Sequence, residues 1–128
     1  MKLLLDTHTL LWLVSDDPQL SKKGMQLLVD PENDLLLSPA TYWELAIKVS
    51  IGKYRLTDPL AEYISEAIRL YGLNILPITP RHAEATVQLA YHHKDPFDRM
   101  LIAQAIVEDV AVVSADDAFD AYPVTRLW

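Results

Sequence analysis

Lys2-Leu3-Leu4-Leu5-Asp6-Thr7-His8-Thr9-Leu10-Leu11-Trp12-Leu13-Val14 begins with three leucines in a row and then meets an acid. A short apolar run without alternation suits a strand buried on both faces. We therefore read residues 2–5 as a buried first strand and residues 7–14 as the helix that follows it. The stretch superficially resembles a signal peptide. It carries one positive charge, Asp6 and His8 interrupt its apolar run, and Ser15-Asp16-Asp17-Pro18 follows in place of a small-residue cleavage site.

The same grammar recurs outward from this stretch. Ser21 is placed to cap a helix reaching about residue 29, and Leu35-Leu36-Leu37 reads as a second buried strand. Ser38-Pro39 supplies a cap and a first-turn proline for a helix to about residue 51, ended by Gly52. Asp58-Pro59 repeats that signal. Leu60, Ile64, Ala67, Ile68 and Tyr71 then share one helical face, with Gly72 as its C-terminal stop. A third strand is expected over 74–78, and Thr79-Pro80 opens a helix expected to reach about residue 92. Asp95-Pro96 starts another helix to about residue 108. A fourth strand over 110–113, a short helix around 115–119 and an edge strand over 124–128 complete the chain. Four or five strands joined by helices imply a mostly parallel sheet, because crossovers between parallel strands are right-handed and need intervening elements. The expected fold is a three-layer α/β/α domain spanning residues 1–128, without repeats or linkers.

Composition sets further bounds. Half of the residues are hydrophobic (51%), enough for a core, and there is no cysteine. That excludes disulfide frameworks, thiolate zinc sites and cysteine nucleophiles, and it fits a reducing cytoplasm. No stretch approaches the roughly 18 uninterrupted apolar residues of a membrane span, so a cytoplasmic protein without membrane contact is expected. The net charge of −7 argues against loose binding to nucleic acid, unless the acids are gathered to hold divalent cations.

Three acids fall where open parallel sheets carry function, outside the carboxyl ends of strands. Asp6 directly follows the first strand. Asp116 lies just past the fourth. Asp98 sits in the first turn of the helix leading to that strand and shares a face with Leu101, Ile102 and Ala105. Glu44 lies early in the helix after the second strand, with Ile47 and Ile51 on its face and expected in the core. Four carboxylates in one pocket repel one another unless protonated or compensated by a cation. An oxygen-only donor set suits Mg²⁺ or Mn²⁺, which can activate a water and steady a phosphodiester during in-line displacement.

At this point the chain resembles a family. Leu-Leu-Leu-Asp-Thr-His-Thr-Leu-Leu-Trp at 3–12, Ser-Pro-Ala-Thr-Tyr-Trp-Glu-Leu-Ala-Ile-Lys at 38–48, His-Lys-Asp-Pro-Phe-Asp-Arg-Met-Leu-Ile-Ala-Gln-Ala at 93–105 and Val-Val-Ser-Ala-Asp-Asp-Ala-Phe at 112–119 are similar to PIN domains, and among them to the VapC-type toxins of bacterial toxin–antitoxin pairs. The ordered set covers essentially the whole chain. The resemblance implies a metal-dependent endoribonuclease acting on RNA, usually a homodimer, held inactive by a cognate antitoxin. It implies Asp6, Glu44, Asp98 and Asp116 as the acidic quartet, with Asp6, Asp98 and Asp116 on the metal and Ser114 supporting Asp116 or a metal-bound water.

Plainer readings compete at several positions. Glu44 and Lys48 have the spacing of a surface ion pair. Asp95 reads as a helix cap as well as a supporting site residue, and Asp117 as the cap of the short helix. Lys48, Lys53, Arg55, Lys94 and Arg99 are candidates to hold RNA phosphates, Lys48 and Arg99 foremost. His8 is a minor candidate for substrate contact. Tyr42 and Trp43 read as packing residues before base-stacking ones. His92 and His93, taken as helical neighbours pointing about 100° apart, read as a solvated pair. A phosphatase of the haloacid-dehalogenase type would need an acid where His8 stands. A non-catalytic module on the same scaffold would be expected to lack one of the four acids.

Overall fold

Leu3, Leu4 and Leu5 are all fully buried, but on two different sides. In the computed structural model, which describes residues 1–128, Leu3 and Leu5 belong to one hydrophobic core and Leu4 to a second. This is the period-two geometry of a strand, and it defines three layers. The strand is β1 (Lys2–Leu5). With β2 (Asp34–Leu37), β3 (Asn74–Ile75), β4 (Ala111–Val113) and β5 (Arg126–Leu127) it forms a sheet in the order β3-β2-β1-β4-β5, and every neighbouring pair is parallel. Leu4 lies opposite both Leu36 and Val112, so the register carries each apolar side chain to the same face as its neighbours.

Helices α1 (Thr7–Val14), α2 (Lys22–Val29), α3 (Pro39–Ser50) and α4 (Leu60–Tyr71) supply Leu10, Leu13, Leu28, Leu45, Ile64 and Ala67 to the core of Leu3 and Leu5. On the other face, α6 (Pro96–Glu108) buries Leu101, Ile102 and Ala105 beside Leu4, Val112 and Phe119, and α5 (Pro80–Val87) packs against α6. Each fully buried leucine contributes about 1.5–3 kcal/mol. No helix is long and apolar enough to cross a membrane.

Most start signals act as read. Ser21, Ser38, Thr79 and Asp95 accept backbone N–H groups at the heads of α2, α3, α5 and α6. Gly72 ends α4 in the left-handed conformation (φ 64°). Four expectations need correction. The cap of α4 is Pro59, without a side-chain hydrogen bond, so Asp58 does not cap it. The third strand is two residues long. The short helix is a 3-10 turn, Asp117–Ala121, capped by Asp116 and not by Asp117. Helix α5 stops at Val87, five residues before the expected end. The segment that follows leaves the helical path and turns carbonyls toward Arg99, as described below.

Candidate active site and metal centre

β1 is the middle strand, and the chain winds outward from it in both directions. A parallel sheet built this way leaves a crevice at the carboxyl ends of the strands flanking the reversal, here β1 and β4. Asp6 and Ser114 are the first residues past those two strands.

Asp6 is almost completely enclosed, at 5% exposure. Its backbone N–H donates to the Val113 carbonyl (3.3 Å), continuing the strand pairing by one residue. Its side chain caps α1, Oδ1 accepting from the Thr9 N–H at 2.8 Å, while Oδ2 accepts from the Ser114 hydroxyl at 2.5 Å. Burial pushes this carboxyl above its ordinary range, and the hydrogen bonds from Ser114 and Thr9 offset part of the rise.

Ser114 is fully buried and uses its hydroxyl twice, donating to Asp6 and accepting from the Asp116 N–H at 3.0 Å. It thereby fixes the spacing of two acids. Asp116 in turn caps the 3-10 turn, Oδ1 accepting from the Ala118 N–H at 2.9 Å, and its side chain is partly open to solvent.

Glu44 is buried beside Ala40, Thr41 and Leu45 of α3. One carboxylate oxygen accepts from the Thr7 hydroxyl (2.7 Å) and the other contacts the Lys48 ammonium (2.6 Å). The expected companions are not in the core: Ile47 and Ile51 are exposed. Glu44 is turned inward because Thr7, next to Asp6, supplies a hydrogen bond there; the apolar face runs through Thr41 and Leu45 instead.

Asp98 is the third residue of α6 and is partly buried. Burial raises its carboxyl from 3.8 to about 7, and the charge of Asp95 adds to the rise. The His93 ring opposes it, and the charges of Asp6 and Glu44 add to it further. Asp98 therefore lies within reach of the charges of Asp6 and Glu44, and it is grouped with Asp116 about the His93 ring. Asp95 is the cap of α6, its Oδ1 accepting from the N–H groups of Phe97 (2.9 Å) and Asp98 (3.0 Å). It bears on the site through its charge. A shallow opening of about 330 Å³ between Asp6, His8, Trp12, Ala115 and Asp116 leads to the cluster.

His93 is the residue that sequence reasoning missed. Its Nε2 lies 2.9 Å from Asp98 Oδ2 and 3.5 Å from Asp116 Oδ2. The signal was Asp95-Pro96. The residue before a proline avoids the helical region, which takes Asp95 out of any helix, and with α5 ending at Val87 the helical-neighbour argument does not apply at 92–93. His92 is exposed, with its ring near Tyr122.

Arg99 requires the opposite correction. It is buried, and its guanidinium donates to the carbonyls of Thr86, Leu89, Ala90 and His93 at 3.0–3.2 Å, with Tyr91 stacked 4.0 Å from its centre. Its two terminal nitrogens are committed to these four carbonyls, leaving only Nε–H, so its role is to pin the backbone of residues 86–93. Lys48 contacts Glu44 at the cluster, whereas Lys53, Arg55 and Lys94 are exposed. Trp43 is 64% exposed and meets Phe97 edge-on at 5.4 Å, so it is a surface residue and not core packing. Tyr42 packs partly buried against the first core. His8 is exposed, its ring beside Trp12.

The donor chemistry fits a hard divalent cation. Asp6, Glu44, Asp98 and Asp116 bring oxygen ligands only, and Asp98 is raised by burial first and by neighbouring carboxylates second, a cost that a bound cation would offset.

The family model of the PIN domain matches residues 3–124. The chain belongs to the PIN domain family. It is 34% identical over 56 residues to Ribonuclease VapC16 of Mycobacterium tuberculosis (strain ATCC 25618 / H37Rv), a match covering 44% of this chain. The match spans 40% of the length of that curated relative. Among solved structures, VapBC2 from Rickettsia felis bound to a DNA fragment from their promoter superposes with a TM-score of 0.74 at 17% identity, covering 99% of this chain and 98% of that one. FitAcB from Neisseria gonorrhoeae superposes with a TM-score of 0.67 at 22% identity, covering 98% and 96%. These likenesses agree with the parallel three-layer fold.

Proposed function

We propose that this chain is a metal-dependent endoribonuclease, the toxin of a cytoplasmic toxin–antitoxin pair. Its substrate is RNA, its partners are a cognate antitoxin and a second copy of itself, and its cofactor is Mg²⁺ or Mn²⁺. The observation that supports the reading is the pairing of Asp6 and Asp116 through Ser114, with Asp98 nearby and raised by burial and then by the charges of Asp95, Asp6 and Glu44. Membership of the PIN family and the similarity to a VapC ribonuclease point the same way.

Asp6, Asp98 and Asp116 would hold the cation. When bound, it supplies a water of lowered pKa and positive charge for the phosphodiester oxygens. Ser114 holds Asp6 by its hydroxyl and Asp116 by its backbone, so both carboxylates are oriented before substrate arrives. Glu44, fixed between Thr7 and Lys48, is positioned to orient the attacking water or accept its proton. Lys48 brings an ammonium to the cluster, where a phosphate oxygen would need one.

Purified protein without antitoxin is expected to cut single-stranded or looped RNA with Mg²⁺ or Mn²⁺ and to stop on addition of EDTA. Cleavage that persists in EDTA, or that depends on zinc, refutes the hard-metal mechanism.

A further inference from the structure

His93 is held at almost every atom that can be held. Its backbone N–H donates to the Tyr122 hydroxyl (2.8 Å), which itself donates to the Ala90 carbonyl (2.7 Å). Its carbonyl accepts from Arg99 at 3.2 Å. The ring lies edge-on to buried Phe119, with centroids 6.3 Å apart. Nδ1 faces the Asp95 N–H at 3.3 Å. A backbone N–H can only donate, so Nδ1 has to be the bare nitrogen, and in the neutral ring the proton belongs to Nε2.

That Nε2 is buried and is the one polar atom of the residue left without an aligned hydrogen bond. Two carboxylate oxygens lie close to it, from Asp98 and Asp116, all three groups within 4.8 Å of one another. Neither oxygen is approached along a hydrogen-bonding angle. Nε2 thus lies against both acids, 2.9 Å from one and 3.5 Å from the other, without a hydrogen bond to either. Asp98 comes from α6 and Asp116 from the turn after β4, and no direct hydrogen bond joins the two side chains.

We propose that His93 is a positioning residue of the acid cluster, whose Nε2–H draws the Asp98 and Asp116 carboxylates toward one another and holds them ready for a divalent cation. The proposal rests on the reading that these acids bind such a cation. A ligating histidine normally donates its second ring N–H to an acceptor, which fixes the metal-binding nitrogen as the bare one. His93 has the reverse arrangement, with a donor facing Nδ1. The geometry therefore assigns it a role behind the metal ligands and not among them.

Two measurements test this. In metal-free protein, ¹⁵N NMR of the imidazole should show Nε2 protonated and Nδ1 bare; the opposite tautomer overturns the proposal. Titration calorimetry with Mn²⁺, without RNA, should then show His93→Ala binding about tenfold more weakly than wild type. His93→Gln, which keeps an N–H donor at similar reach, should recover to within about threefold of wild type. Circular dichroism and a urea midpoint separate lost folding from lost binding. If the alanine variant does not fold, the glutamine variant alone carries the comparison. Wild-type affinity in His93→Ala overturns the proposal. So does His93→Gln binding as weakly as a folded alanine variant, because only a ring nitrogen that ligates the metal would require that. A wild type that binds neither Mn²⁺ nor Mg²⁺ overturns the metal reading itself, while the ring spectrum still decides whether His93 presents Nε2–H to the two acids.

Discussion

Replacing Asp98 by asparagine should make the metal-free protein more stable, and increasingly so as pH rises. Folding raises the Asp98 carboxyl from 3.8 to about 7. Between those values the folded chain holds a proton that the unfolded chain has released, so stability falls as pH climbs through the window and levels off above about 7. Unscreened, a rise from 3.8 to about 7 is a penalty of ~4 kcal/mol at alkaline pH. The side chain is 21% exposed, so water screens part of it, and ~1–2 kcal/mol is the realistic share. The substitution also removes a negative charge from the first turn of α6, forfeiting about 0.5 kcal/mol of helix-dipole attraction. The net gain is about 1 kcal/mol, or roughly 4 °C in melting temperature for a chain of this size. Thermal unfolding in EDTA near pH 5 and near pH 8.5 reads it directly. The variant should melt higher at the alkaline pH, and its decline between the two should be shallower. Asp6 is raised in the same direction and remains in the variant, so some slope persists. An Asp98→Asn protein that melts lower than wild type at alkaline pH without metal would refute the charge-cluster argument.

Other consequences are simpler to state. Mg²⁺ at millimolar concentration should raise the wild-type melting temperature by mass action and that of Asp98→Asn much less; equal shifts would place the cation elsewhere. Arg99→Lys should lower stability by about 2 kcal/mol in urea, because one ammonium cannot reach all four carbonyls that the guanidinium serves; an unchanged midpoint would show that the pinning is dispensable. Asp116→Ala should reduce RNA cleavage more than tenfold while Asp117→Ala changes it little, and the reverse ranking would misassign the turn after β4. Trp43, Ile51 and Tyr91 are exposed apolar side chains, so a homodimer is expected, and a monomer at micromolar concentration by light scattering would count against it.

The inner strands β1 and β2 were legible because they are short leucine-rich runs, each directly followed by the cap of the next helix, Asp6 and Ser38. Leu3–Leu5 and Leu35–Leu37 announce burial on both faces without any knowledge of their neighbours. The acids were legible through their position after strands and within first turns. What escaped was decided by groups distant in sequence. The inward orientation expected of Glu44 rests on a wrong premise, since its partner there is Thr7, 37 residues away, and Ile47 and Ile51 are exposed. Arg99 reads in sequence as one more surface cation. Only the folded path from the last turn of α5 through residue 93 brings together the four carbonyls, of Thr86, Leu89, Ala90 and His93, that receive its guanidinium. His93 depends on the same path, so the two misreadings have a single origin in the early end of α5.

The acid cluster is tolerable without metal because most of its members serve a second purpose. Asp6 caps α1, Asp95 caps α6 and Asp116 caps the 3-10 turn, each carboxylate accepting backbone N–H groups whose partial positive charge opposes its own. Glu44 lacks such a cap but has Lys48. Asp98 has neither, only the nearby Nε2 of His93, and it is the acid driven up to about 7. Mutagenesis therefore has to be read by position. Asp6→Ala removes a helix cap and a buried acceptor for Ser114 as well as a candidate metal ligand, so lost cleavage in that variant mixes folding with chemistry, at a cost of about 1 kcal/mol from the cap alone. Asp98→Ala removes a charge that the metal-free fold is better without. Lost cleavage at residue 98 in a protein that melts no lower than wild type isolates the chemistry. If Asp98→Ala instead keeps its RNA-cleaving rate, the cluster is not where the reaction occurs, whatever Asp6→Ala does.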